Sequence, residues 1–128
     1  MVAILSPHLE ALQLDDRISL SPKKMAKLLD MSIGDLADAA LVHRNTMRMH
    51  PESTELQNFL REIFRVFVSA EGITRDRSKA ALWLRYQPIE EFEGRTAFEV
   101  LASDREHRGE RARDLLNYLA SIESGFVG

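Results

Sequence analysis

The 128-residue sequence contains no cysteine. Disulfides and thiolate zinc sites are thereby excluded, and a reducing compartment is the natural expectation. Long apolar runs are missing too: nothing approaches the roughly 20 residues that a membrane-spanning helix needs. Met1 is followed by VAILSPHLEALQL, which lacks the basic flank and the length of a signal peptide. The chain is expected to be soluble and cytoplasmic, with no membrane partner. Glycine is sparse, and the six present are scattered instead of gathered in a phosphate-cradling loop. The histidines, at positions 8, 43, 50 and 107, show no metal-ligand spacing, and no serine lies in a nucleophile-elbow pattern. The acid pairs Asp15-Asp16 and Glu90-Glu91 are adjacent, so on a helix their side chains point about 100° apart and do not converge on one substrate atom. No catalytic residue, metal site or cofactor is expected; the chain reads as a binder and not an enzyme.

What the sequence does have is helical periodicity. Hydrophobic residues make up 45% and charged residues 29%, enough of each for one globular domain or two small ones. Ser21 before Pro22 fits an N-cap followed by proline at the first helical position, and the helix is expected to run to about Leu29 with Met25, Leu28 and Leu29 inward. Ser32 caps a second short helix carrying Ile33, Leu36 and Ala37, and HRNTMRMH forms a third that ends before Pro51. Ser53 or Thr54 begins the longest helix, in which Leu56, Phe59, Leu60, Ile63, Phe64 and Phe67 recur at three- and four-residue steps. Val66 and Val68 widen that stripe, which predicts a core spine or a homodimer seam, and Gly72 is the expected stop.

Thr74 is expected to cap the next helix, where Ala80, Ala81, Leu82, Trp83, Leu84 and Tyr86 project around nearly the whole circumference. That pattern predicts a helix enclosed on several sides, with Trp83 in the core of its own domain. Pro88 ends it, IEEFEGR makes a compact corner, and Thr96 with Glu99 makes a capping-box pattern. A short helix AFEVLA follows. The last helix runs from about Gly109 to Ser124, with Ala112, Leu115, Leu116, Leu119 and Ile122 inward and Gly125 at its end. The fold expected is all-α, without strand-like alternation or internal repeats.

The net charge of −3 argues against a surface wholly devoted to nucleic acid. Residues 1–50, however, balance six basic side chains (Arg17, Lys23, Lys24, Lys27, Arg44, Arg48) against six acidic ones, which leaves room for a local basic face. SIGDLADAALVHRNTMRM has the proportions of a helix-turn-helix: a capped helix, a turn of three to four residues, and a second helix with polar and basic side chains outward. In the phage-repressor-like (Xre) version a small residue after the first leucine permits close helix packing, a place Ala37 fills. The turn, where glycine is usual, holds Leu41. Val42 and Met47 are expected to anchor the second helix, while Arg44, Asn45, Thr46 and Arg48 face the major groove, where arginine reads guanine and asparagine reads adenine. His43 is expected to cap that helix or to touch phosphate. With Lys23, Lys24 and Ser32 these residues form the expected DNA-binding set; Asp30, Asp35 and Asp38 oppose it.

In the second half, the helix with AALWL (Trp83, Leu84), then Pro88, Gly94 followed by RTAFEVL, and finally LLNYLASIESG resemble in order and spacing the toxin-binding domain of the Xre/MbcA/ParS antitoxins, partners of RES-domain toxins. Thr96 matches the family's helix cap, Ala97 stands where proline is usual, and Val100-Leu101 replaces Leu-Leu. The resemblance covers about residues 70–128 and implies two parts: a helix-turn-helix and dimerisation region over 1–70, and a toxin-binding helical domain over 71–128. It further implies repression of an operator, and neutralisation of a RES toxin that consumes NAD⁺ or transfers its ADP-ribose, by covering the toxin's active site. Toxin contact is expected from Glu90, Glu91, Glu93, Arg95 and Ile122, and from a terminal stretch of Gly125, Phe126, Val127 and Gly128; Trp83, Leu84, Pro88, Gly94 and Thr96 shape the surface. Two readings of the glutamates stand: a solvated acidic face, or acids that meet basic residues around a cleft built for an anionic dinucleotide. Phe126 either folds back on the last helix or plugs a pocket. The arginines at 105, 108, 111 and 113 are expected at the surface. The alternative function is a transcriptional regulator or helical adaptor without a toxin.

Overall fold

The computed structural model describes residues 19–123 and is all-α. Among the described residues there are seven α-helices: α1 (Pro22–Leu29), α2 (Ile33–Ala40), α3 (Arg44–Met49), α4 (Thr54–Thr74), α5 (Arg77–Tyr86), α6 (Ala97–Ser103) and α7 (Arg108–Glu123). Ile89 and Arg95 form an isolated antiparallel bridge. None of these helices is long and apolar enough to cross a membrane. The chain divides into two compact units, Met1–Arg61 and Glu62–Gly128, and the division falls inside α4; the sequence pattern assigns nearly all of that helix to the N-terminal part.

In the first unit α1 packs on α2 and α2 on α3. Met25, Ala26, Leu29, Leu36, Ala37, Ala40, Met47, Leu56, Phe59 and Leu60 are buried, whereas Leu28, Ile33 and Val42 are only half-buried. Both helix starts are capped as the sequence implies: the Ser21 hydroxyl accepts from the Lys24 amide and the Ser32 hydroxyl from the Asp35 amide, each satisfying a donor the helix itself leaves open. The helix ends are less conventional. Asp30 and Leu41 both adopt left-handed backbone, with φ of 58° and 60°. Beyond them the Met31 amide donates to the Ala26 carbonyl and the Val42 amide to the Ala37 carbonyl, so both helices close in Schellman turns built without glycine. Leu41 is 59% exposed, so it has little burial to offset the strain of that backbone.

The second unit packs α5 on α6 and α6 on α7. Its core holds Ile63, Val66, Phe67, Ala70, Ala80, Ala81, Leu84, Ile89, Ala97, Val100, Leu101, Ala112, Leu115 and Leu119. Three expectations are corrected here. Gly72 does not stop the long helix, which continues to Thr74 and ends at Arg75 in left-handed backbone (φ 59°). Thr74 does not cap α5; Asp76 does, accepting from the Lys79 amide, while the Thr74 hydroxyl donates to the Asp76 carbonyl and holds the turn. Finally, α5 is covered on one face only: Leu82 and Tyr86 are each 57% exposed and Trp83 is half-buried and not a core residue. The wide stripe of α4, by contrast, is largely used within the chain, since Ile63, Val66 and Phe67 are buried and Phe64 and Val68 half-buried.

The corner after α5 is a 3-10 turn over Glu90–Phe92. The Ile89 amide donates to the Arg95 carbonyl at 3.0 Å, and the Gly94 amide donates back to the Ile89 carbonyl at 3.0 Å. Glu93 and Gly94 are both at positive φ, 62° and 78°, a pair of left-handed residues that a glycine accommodates without steric cost. Thr96 then completes the capping box: its hydroxyl accepts from the Glu99 amide at 3.1 Å while the Glu99 carboxylate accepts from the Thr96 amide at 2.9 Å.

Candidate functional site

In the first unit, α1 and α3 bring together side chains more than twenty residues apart in sequence. Lys23, Arg44 and Arg48 line one groove of about 420 Å³, with Pro22, Ile33, Met47 and Pro51 supplying its apolar wall. Each cation has a local reason for its position. Proline at the first turn sets the start of α1, so Lys23 stands at that helix's exposed beginning. Buried Met47 turns α3 so that Arg44 and Arg48, one turn apart, share its outer face. Arg48 is further held by its own helix, its guanidinium donating to Asn45 Oδ1 at 3.1 Å.

A second groove of about 360 Å³ runs past Ala37, Asp38, Val42, His43, Arg44 and Asn45. Arg44 therefore borders both. The carboxylate of Asp38 weakens the attraction of this second groove for a phosphate, and the groove with Lys23 and Arg48 is the more favourable for an anion.

Two residues of the expected DNA-binding set stand at helix starts. The Ser32 hydroxyl caps α2. His43 occupies the N-cap position of α3 but makes no side-chain capping bond; its backbone carbonyl accepts from the Thr46 amide at 3.0 Å. Lys24 is exposed, and Thr46 is half-buried.

In the second unit, Glu90, Glu91 and Glu93 are exposed around the 3-10 corner, and Pro88 is exposed beside them. Arg95 is committed within the fold: its Nε donates to the Phe92 carbonyl at 3.3 Å, its Nη1 to the Ser103 hydroxyl at 3.1 Å, and its Nη2 lies 3.9 Å from Glu93. It ties the corner to the end of α6. Phe92 meets Tyr118 edge-to-face, ring centres 6.3 Å apart, which fixes the corner on α7. Burial, and then the charge of Glu91, pushes the Tyr118 phenol up.

Ile122, expected inward, is 43% exposed. Gly125, Phe126, Val127 and Gly128 lie outside the described residues. Arg108, expected at the surface, is buried at 5% exposure, and its Nε donates to the Leu101 carbonyl at 2.8 Å; it closes the end of α6, where a cation is favoured.

The surface missed by sequence reasoning is the open side of α5. Leu82 and Tyr86, one turn apart, expose an apolar strip, and the Arg85 guanidinium lies 4.6 Å from the centre of the Tyr86 ring. The signal was present as an excess of apolar residues beyond what one packed face needs; it reads equally as enclosure or as a surface awaiting a partner. Among the described residues no group of three or more His, Asp or Glu side chains is placed to hold a metal ion. Comparison with protein-family models, with curated proteins and with solved structures returned no match.

Proposed function

We propose that this chain is an antitoxin. Its first unit binds operator DNA as a helix-turn-helix repressor, and its second unit binds and covers a RES-type toxin. The observation that carries the DNA half is the convergence of Lys23, Arg44 and Arg48 on one groove. The helices concerned follow one another in helix-turn-helix order, with α2 and α3 joined by a three-residue turn at 41–43. In this role α3 enters the major groove, Arg44 and Arg48 reach base edges or phosphates, and Lys23 contacts the backbone. A two-fold operator calls for two copies.

The toxin-binding role rests on the resemblance of residues 70–128 to the antitoxin domain. It is supported by two physical features. The corner is pre-organised, with Gly94 left-handed, Thr96 in a capping box and Arg95 bonded inward, so little entropy is lost when it docks. The apolar strip of Leu82 and Tyr86 beside Trp83 adds a kind of surface that partner proteins cover.

One experiment addresses each half. A labelled duplex from the region upstream of the chain's own reading frame should be retarded at low salt, where electrostatic binding is strongest. Arg44→Ala and Arg48→Ala should each weaken it, and each lost phosphate contact should reduce the salt slope by about 1. Co-expression with the product of the adjacent reading frame should give a stable complex and rescue growth, and the pair Leu82→Glu with Tyr86→Glu should diminish both. A chain that binds no duplex loses the repressor role; one that captures no adjacent gene product loses the toxin-binding role, leaving a regulator or adaptor without a toxin.

A further inference from the structure

Gly34 sits in the first turn of α2 with no backbone need to be glycine, since it is not among the residues at positive φ. Glycine inside a helix is less favourable than alanine, and such a conflict with local structure is expected where function demands it. A methyl group added to Gly34 would lie 3.0 Å from Cζ and 3.0 Å from Nε of Arg44, and nearer still to one of its terminal nitrogens; beyond the glycine's own stretch of helix no other atom is as close. The guanidinium of Arg44 therefore rests on the bare backbone of Gly34, reaching from the start of α3 to the first turn of α2.

We infer that Gly34 is the seat of Arg44: its missing side chain sets the direction in which that arginine meets DNA. Gly34 is thus a positioning residue, and the assignment rests on the DNA-binding role proposed above. Holding a long side chain in place beforehand reduces the rotamer freedom lost on binding, and the planar fork of a guanidinium rewards correct aim more than a point charge would. The intruding methyl meets only the far end of a flexible side chain, so Gly34→Ala displaces Arg44 and leaves the fold intact.

Fluorescence-anisotropy titration of the upstream duplex with the full chain tests this, using the wild type, Gly34→Ala, Arg44→Ala and the double variant. Gly34→Ala should weaken binding roughly tenfold, within the range for a misplaced arginine contact, with an unchanged or higher thermal midpoint. In the Arg44→Ala background the same change should have no effect. In the free protein, Gly34→Ala should also move the Nε–H resonance of Arg44 towards that of a solvated arginine. Undiminished binding by Gly34→Ala, an equal loss in both backgrounds, or an unmoved resonance overturns the seat while leaving DNA binding in place. A wild type that ignores the duplex even at low salt overturns the DNA-binding role, and the seat with it.

Discussion

The side-chain amide of Gln57 exchanges a pair of hydrogen bonds with the backbone of Leu20: Oε1 accepts from the Leu20 amide at 2.8 Å and Nε2 donates to the Leu20 carbonyl at 2.8 Å. The same Nε2 donates to the Pro51 carbonyl at 2.6 Å, and the side chain is buried. One side chain thus satisfies the backbone entering α1 and the turn entering α4. Replacing it with leucine of similar bulk strands three polar groups, which costs about 2–3 kcal/mol. Urea unfolding followed by circular dichroism measures this. Gln57→Glu should be worse at neutral pH and recover partly in acid, where a protonated carboxyl again offers a donor. Leucine at wild-type stability would show that water replaces the amide.

Glycine and leucine are exchanged, relative to backbone preference, at two helix positions. Gly72 lies within α4, exposed, with nothing within 4 Å of where a side chain would sit. Gly72→Ala should stabilise by about 0.5–1 kcal/mol through helix propensity alone. Leu41 sits left-handed and exposed at the end of α2, so Leu41→Gly should stabilise by about 1 kcal/mol. Thermal midpoints decide both, and a fall at position 41 would mean that the leucine side chain has a contact worth more than its strain.

Arg108 and Arg111 are close on α7 and differ in consequence. Arg108→Met removes a buried bond to the Leu101 carbonyl and should cost about 1.5–3 kcal/mol. Arg111 lies 3.4 Å from Asp114 and 3.7 Å from Glu110 near the surface, and pairs of that kind contribute about 0–1 kcal/mol. Equal losses on substituting the two arginines would contradict the closing role given to Arg108.

Stability should also vary with pH at the start of α7. Asp104 Oδ1 accepts from the His107 amide at 3.1 Å and lies 3.1 Å from His107 Nδ1. The hydrogen bond to Asp104, and then its charge, holds His107 above its ordinary value of 6.5. For Asp104, partial burial acts upward but is outweighed by the hydrogen bonds from His107 and the charges of His107 and Arg111, so its carboxyl falls below its ordinary value of 3.8. A raised histidine stabilises fully below its unfolded value and loses that contribution as pH rises through the folded one; a lowered aspartate stabilises above its unfolded value and loses it as pH falls through the folded one. The pair therefore helps most between those ranges. His107→Ala should flatten the decline in thermal midpoint as pH rises above 6.5; parallel curves for variant and wild type would remove the effect.

Three helix starts were legible in the sequence because capping is local: Ser21, Ser32 and Thr96 each bond an amide three residues on; the caps expected at His43 and Thr74 are not made. Helix ends were legible only in part: α1 stops at Leu29 and α3 before Pro51 as expected, but Gly72 does not stop α4. The chain turns left-handed at Asp30, Leu41 and Arg75 and stays helical through Gly72, since the stop is set by nearby bonds such as Thr74 to Asp76 and by packing, neither of which follows from residue type. On α5, periodicity counted apolar residues correctly but said nothing of whether all were covered. Arg108 read as surface because its partner, the Leu101 carbonyl, is brought to it only by the packing of α6 on α7. Lys23 and Arg44 were each singled out from sequence, yet their meeting in one groove depends on how α1 and α3 fold.

Because the border between the compact units falls inside an unbroken helix, there is no linker at which to dissect this molecule. A cut at Arg61 would strand Leu56, Phe59 and Leu60 on one fragment and Ile63, Val66 and Phe67 on the other, each at the frayed end of half a helix. Fragments expressed separately should each be less helical by circular dichroism than the same residues in the intact chain, because a half-length helix loses the propagation that sustains it.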